Sequence, residues 1–228
     1  RYVVFNNLKK NYLGVLKDGT VDVKGLTGKK SHTPPFIRKT FYSMLDILGK
    51  VNTEKDFGAA REKIKELIKD SAKKLQSNEY PLEDLSFNVM INKSPEKYGK
   101  RTSENLRVSS IDGHGSTTST MKGIPQHIKA AMQFSDNGKQ IKAGDIISYV
   151  KTKTAEGVKP VELANHKDVD TEKYLEAMES TFDQMLTALD VNFKSIIGKP
   201  RQSNLDELFW SSGQQILGIT VNRDLTED

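Results

Sequence analysis

Apolar residues along the first part of the chain come in short runs. Tyr2-Val3-Val4-Phe5, Tyr12-Leu13-Gly14-Val15-Leu16 and Thr20-Val21-Asp22-Val23-Lys24 have strand composition. Lys17-Asp18-Gly19 lies between the last two, and Asp-Gly is a strong hairpin signal because a type I′ turn needs positive φ at both central positions. The pattern predicts antiparallel sheet over residues 1–24, then a polar, basic loop from Gly25 to Thr33. Pro34-Pro35 suits a helix start, after which Phe36, Ile37, Phe41, Met44, Leu45 and Leu48 recur at helical spacing. Phe57, Ala60, Ile64, Leu67, Ile68, Ala72 and Leu75 predict a second amphipathic helix with a Lys/Glu outer face. Phe87, Val89 and Ile91 alternate as a strand does, and Ile146–Val150 and Val161-Glu162-Leu163 predict two further strands. Tyr174, Leu175, Met178, Phe182, Met185, Leu186 and Leu189 form the cleanest helical stripe. The fold class is α+β, a short antiparallel hairpin followed by a mainly helical region with a few short strands. Residues 101–121, rich in Ser, Thr and Gly, predict an exposed loop, and residues 196–228 a loosely attached tail.

The 228 residues suit one large domain or two small ones. No apolar run approaches the roughly 18 residues of a membrane span, and the start has no signal-peptide pattern. The absence of cysteine excludes a disulfide scaffold, thiolate zinc and a cysteine nucleophile, and permits a reducing, cytoplasmic setting. Opening on Arg1 rather than Met, the chain reads as a piece of something longer. Its net charge of +5 is uneven: residues 1–50 carry +7, residues 51–150 +3 and residues 151–228 −5. A basic front and an acidic back suit a protein that meets a polyanion on one side, although a mixed solvated surface accounts for the numbers as well.

Catalytic chemistry is not visible in the spacing. His32, His114, His127 and His166 have no metal-ligand pairing. Gly25-Leu26-Thr27-Gly28-Lys29-Lys30-Ser31 lacks the leading glycine of a phosphate loop, since position 23 is Val23, and it precedes a Pro-Pro pair. What survives is a flexible basic loop able to touch phosphates. Gly113-His114-Gly115-Ser116 lies in the loop-like stretch without the strand-to-helix setting of a nucleophile elbow. Asp168, Asp170 and Glu172 fit a helix N-terminus, with Asp170 able to cap. Lys9-Lys10-Asn11-Tyr12, between two β runs, can project cations and a tyrosine together, a phosphate-and-sugar contact pattern that ordinary solvated lysines also produce.

From Lys9-Lys10-Asn11-Tyr12-Leu13-Gly14 through Val23-Lys24-Gly25-Leu26, the chain resembles the family B DNA polymerases of the archaeal replicative type. Ile124-Pro125-Gln126-His127-Ile128-Lys129-Ala130-Ala131 looks like the family's Pro-x-His-Val-x-Ala thumb segment, with Tyr98 as the tyrosine before it. Lys142-Ala143-Gly144-Asp145-Ile146-Ile147-Ser148-Tyr149-Val150 is similar to its Gly-Asp-x-Ile-x-Tyr strand, and Asp170 with Tyr174 to the start of its late thumb helix. The matches run in order over residues 1–195. The resemblance implies that residues 1–33 end the palm, that residues 34–195 are the thumb with 101–121 as an inserted loop, and that the primer–template duplex is the partner. It implies duplex contacts at Lys9, Lys10, Tyr12, Lys24, Lys29, Lys30, Pro125, His127 and Lys129, mostly to phosphate and sugar. The family's metal-binding aspartates do not appear here. They would lie upstream, on the rest of the polymerase in this or another chain, so Mg2+ is implied for the parent enzyme and no cofactor for this segment. The long 101–121 stretch leaves Lys100 and Arg101 without a secure counterpart.

Gln202-Ser203-Asn204-Leu205-Asp206-Glu207-Leu208-Phe209 resembles a sliding-clamp-binding box, with Leu208 where an aromatic is usual and Trp210 beside it. In that mode Leu205, Leu208 and Phe209 enter an apolar groove while Gln202 takes a polar pocket; the alternative is a short helix packing on its own thumb. The resemblance therefore implies the C-terminal part of a DNA-directed DNA polymerase, cytoplasmic and nucleoid-associated, that holds product duplex and recruits the clamp. A free-standing DNA-binding accessory protein that recruits the clamp, or a basic scaffold that binds only protein, stand as alternatives.

Overall fold

The computed structural model describes residues 2–5, 12–16, 18, 20–92, 95 and 124–198. The 101–121 stretch and the tail motif fall outside them. The chain divides into Arg1–Ile197 and Gly198–Asp228, and the elements of secondary structure lie in the first unit.

Strands β1 (Tyr2–Phe5), β2 (Tyr12–Val15) and β3 (Val21–Lys24) form an antiparallel sheet in that order. Leu13 lies opposite Val23 and Val15 opposite Val21, so one face of the sheet is aliphatic. That face packs on α1 (Pro35–Gly49), whose buried stripe runs Phe36, Ile37, Phe41, Met44, Leu45 and Leu48. Helix α2 (Glu54–Gln76) starts from a capping box in which Thr53 and Asp56 satisfy each other's backbone amides. It buries Ala60, Ile64, Ile68, Ala72 and Leu75 in the same core. The last long helix, α4 (Thr171–Leu186), adds Tyr174, Leu175, Met178, Phe182 and Met185, and the short α5 (Phe193–Ile196) closes the cluster with Phe193.

A second, smaller core lies under a second antiparallel sheet, β4 (Phe87–Met90), β5 (Ile146–Lys151) and β6 (Val158–Pro160), with β5 central. Helix α3 (Gln126–Asp136) lays Ile128, Ala131 and Phe134 against Ile147, Tyr149 and Val158. Among the described residues no helix is long and apolar enough to cross a membrane.

The α+β class stands as expected, with two local corrections. Leu16 donates its amide to the Thr20 carbonyl (2.9 Å), one pair beyond Val15–Val21, and the Asp18 carboxylate accepts the Thr20 amide (2.9 Å); Lys17 and Gly19 of the expected type I′ turn lie outside the described residues. The strand expected at Val161-Glu162-Leu163 is a 3₁₀ turn, and β6 precedes it. Pro160 lacks a ladder donor and its fixed φ starts the turn. Helix α3 was not expected as a helix, because two of its five buried residues are alanine and give little apolar contrast.

The two cores meet at Tyr174. Its ring is fully buried, 6.0 Å from Phe36 on one side and 5.9 Å from Phe87 on the other. Its hydroxyl donates to the Leu85 carbonyl (2.7 Å) and accepts the Lys151 amide (3.1 Å). Phe87 pairs with Tyr149, so Leu85 and Lys151 are the next positions along, and the phenol fills the rung between them. Burial pushes the Tyr174 hydroxyl far above its ordinary pKa, and it stays a neutral donor and acceptor. Tyr174→Phe leaves a buried carbonyl and amide without their partner and should cost about 1–3 kcal/mol in urea unfolding. A change below a few tenths of a kcal/mol would show that water replaces the hydroxyl.

Candidate nucleic-acid interface

The outer face of the β2–β3 ribbon follows from strand alternation: Leu13, Val15 and Val23 point into the core, so Tyr12, Asp22 and Lys24 point out. Tyr12 lies directly opposite Lys24, and Gly14 opposite Asp22. With no side chain at Gly14, the Tyr12 phenol reaches diagonally and donates to Asp22 Oδ2 at 2.9 Å. The hydrogen bond to the carboxylate, helped by slight burial and by Asp22's charge, raises the phenol's pKa. Lys24 and Lys30 are exposed.

The basic loop after β3 is held at several points rather than free. Thr27–Lys29 is a 3₁₀ turn whose Thr27 amide donates to Gln184 Oε1 (2.9 Å), while Gln184 Nε2 donates to Thr27 Oγ1 (2.8 Å). Thr33 Oγ1 donates to the Thr27 carbonyl (2.8 Å). Gly28 is buried against Phe41, where any Cβ would collide with the ring. Lys29 Nζ donates to the Val23 carbonyl (3.1 Å), so one of its three protons serves the loop itself. Lys24 and Lys30 are therefore the better-placed cations of this group.

Pro125, His127 and Lys129 open α3 on the second core, Pro125 at its N-cap position. Pro125 is exposed, and His127 and Lys129 are half-buried. Desolvation lowers the His127 pKa, so near pH 7 it offers a neutral imidazole instead of a cation. Among the described residues no hydrogen bond or ion pair joins this trio to the ribbon group; the two sit on separate cores. Lys9, Lys10, Gln202, Leu205, Leu208 and Phe209 lie outside the described residues.

Of the acidic trio, Asp170 caps α4 by accepting the Lys173 amide (3.3 Å), as expected. Asp168 instead accepts Lys159 Nζ (2.9 Å), which with the Asn165 amide holds its pKa down. Among the described residues no three His, Asp or Glu gather where they could hold a metal ion. The gap behind the ribbon, between Leu26, Leu48, Met185 and Leu189, has about 10 Å³, at most one water's worth. Sequence reasoning missed Asp22 and Gln184. Asp22 shares a strand face with Lys24 and was accessible by alternation; Gln184 carries no local signal, lying 157 residues from the threonine it holds.

A family model, DNA polymerase family B, matches residues 4–111. DNA polymerase 1 of Saccharolobus solfataricus is 39% identical over 196 residues, covering 86% of this chain and 20% of that protein. The chain is similar in sequence to family B DNA polymerases over most of its length. DNA polymerase 1 of Aeropyrum pernix is 35% identical over 212 residues, 93% of this chain and again 20% of the relative. The chain thus spans about a fifth of the length of the curated relatives it matches. Among solved structures, the family B DNA polymerase from the hyperthermophilic archaeon Pyrobaculum calidifontis superposes with a TM-score of 0.53 at 19% identity, covering 78% of this chain and 21% of that one. That likeness is one of fold and agrees with the α+β class.

His127 also has a stability consequence. Its folded pKa lies below the ordinary value of about 6.5, so the unfolded chain binds this proton more readily. The contribution is therefore full above about pH 6.5 and is lost as pH falls below it. His127→Gln should lose less stability than the wild type between pH 7.5 and pH 5, read from urea midpoints. Parallel losses in the two proteins would contradict a desolvated imidazole.

Proposed function

We propose that this chain is the C-terminal part of a DNA-directed DNA polymerase: the end of the palm over residues 1–33, the thumb over 34–195, and a clamp-binding tail over 196–228. Its task is to grip the primer–template duplex while the remainder of the enzyme performs nucleotidyl transfer. The observation that carries this reading is the outer face of the β2–β3 ribbon. Tyr12 and Lys24 sit there, and Lys30 is exposed on the following loop, which Gln184 of α4 pins through Thr27. A grip needs cations at fixed positions, because a mobile lysine loses rotamer entropy on contact and positions nothing. The relatives' names support the same reading, each being called DNA polymerase 1.

Lys24 and Lys30, with Lys29's remaining donors, serve as phosphate contacts, and Lys9 and Lys10 are assigned to the duplex by the sequence resemblance alone. Pro125, neutral His127 and Lys129 form a second contact across the duplex from the thumb's other core. Mg2+ belongs to the parent enzyme's remaining domains, and no step through it is assigned to this segment. In the tail, Leu205, Leu208 and Phe209 would seat in the clamp's apolar groove with Gln202 beside them.

The test is fluorescence anisotropy of the full chain on a primed duplex across salt concentrations. Affinity should be independent of sequence to first order and fall steeply with salt; Lys24→Ala and Lys30→Ala should each reduce the log–log slope by roughly 1. Unchanged slopes in both variants would remove the ribbon from the interface. For the tail, Leu205→Ala with Phe209→Ala should abolish binding to an immobilised clamp and leave duplex affinity unaltered; retained clamp binding would assign the box to internal packing.

A further inference from the structure

Thr27 is the hub of the basic loop. Its amide donates to Gln184 Oε1 (2.9 Å), and its hydroxyl oxygen accepts Gln184 Nε2 (2.8 Å). Its carbonyl accepts the Lys30 amide (3.0 Å) and the Thr33 hydroxyl (2.8 Å). The first two bonds come from α4, and the last two close the turn that carries Lys29 and Lys30. Lys30 is thus one backbone hydrogen bond from a peptide held by a helix 157 residues away. Lys29 has a tie of its own to the Val23 carbonyl (3.1 Å), so Lys30 is the cation whose placement depends most on Thr27. Gly28, packed against Phe41, blocks movement of the turn towards α1, so a turn released by α4 swings outward and takes Lys30 with it.

A primary amide suits this position. It offers one acceptor and one donor in a plane, matching the amide and hydroxyl of a single threonine, and it brings no charge. A carboxylate there would oppose the attraction of Lys29 and Lys30 for an anion, and an ammonium could not accept the Thr27 amide. A lysine side chain loses rotamer freedom on any contact; a held backbone spares the further cost of fixing φ and ψ of the residues that carry it.

We propose that Gln184 is a positioning residue for phosphate binding by the basic loop: through Thr27 it holds the backbone of Lys30, so that this lysine meets a duplex phosphate without the loop being ordered at each contact. The inference rests on the reading of this loop as a duplex contact. It goes beyond that reading by assigning part of the affinity to an uncharged side chain in the acidic last third of the sequence.

The experiment is a double-mutant cycle on the full chain, read as affinity for a primed duplex, with a urea midpoint recorded for each variant. Gln184→Met keeps the side-chain length and removes both hydrogen bonds. It should weaken duplex binding about fivefold, the scale of fixing one backbone residue anew on each contact. Thr27→Val removes only the hydroxyl acceptor and should weaken binding less, while Thr27→Ser keeps both bonds and should bind as the wild type does. The coupling decides the matter: Lys30→Ala should cost distinctly less beside Gln184→Met than in the wild type, because a lysine on a released loop contributes less. If Gln184→Met does not fold, Thr27→Val takes its place in the cycle. Additive losses overturn the inference. A lowered urea midpoint with unchanged duplex affinity overturns it too, since Gln184 then serves stability alone. In both cases Lys30→Ala still weakens binding by the wild-type background, and the duplex reading stands. If Lys24→Ala and Lys30→Ala both leave wild-type binding unaltered, the duplex reading falls and the inference with it.

Discussion

One buried hydroxyl determines how the two cores of this chain meet. An isolated hydroxyl moved from water into an apolar interior costs several kcal/mol unless it is hydrogen-bonded. At Tyr174 the cost is offset twice, by the Leu85 carbonyl and the Lys151 amide, which lie opposite each other just before β4 begins. The ring contributes as much as the oxygen. It lies between Phe36, from the helical core, and Phe87, which stacks on Tyr149 of the second sheet at 5.5 Å. Burial pushes the Tyr149 hydroxyl up to about 12, so this aromatic row stays uncharged near neutral pH. Lys151 then places its ammonium 5.0 Å from the Phe87 ring, a cation at the edge of the same row. Because ring packing and strand termination act on the same residue, α4 cannot shift without opening the end of β5.

The orientation of α4 matters at its other end too. Gln184 lies about ten residues along the same helix from Tyr174, and there the helix holds the basic loop through Thr27. The basic loop after β3 is thus tied to a helix whose far end joins the cores. Sheet β1–β3 alone could not do this, since a small ribbon is marginally stable by itself and twists readily. The aliphatic face over α1 supplies burial, and Gln184 supplies the register of the loop against it.

What the sequence disclosed follows from how far each signal travels along the chain. Helices α1, α2 and α4 carry wide stripes of large aliphatic and aromatic residues, and their periodicity is visible without any partner. Helix α3 packs through Ala130 and Ala131, residues as common on helix surfaces as in cores, so its period is hidden. The turn after β2 depends on whether the Asp18 carboxylate captures an amide two residues on, a local competition that composition does not decide. Strand β6 ends where Pro160 withdraws a donor, yet Val161-Glu162-Leu163 beyond it has the better strand composition.

The candidate interface divides in the same way. That Tyr12 and Lys24 share a face follows from strand alternation and register; the sequence named both as candidates without bringing them together. The tie of Lys29 to Val23, the capture of Thr27 by a glutamine 157 residues away and the desolvation of His127 arise only once the cores close. Each alters the chemistry expected of a basic residue: a lysine partly spent on its own loop, a loop held in place, a histidine that is neutral. Counting positive charge along the first half of the chain therefore overstates the cations available for a ligand and understates how firmly their backbone is held. Fewer cations on a held backbone suit a repeated electrostatic contact better than a dense mobile cluster, because each contact can form and release without reordering a loop.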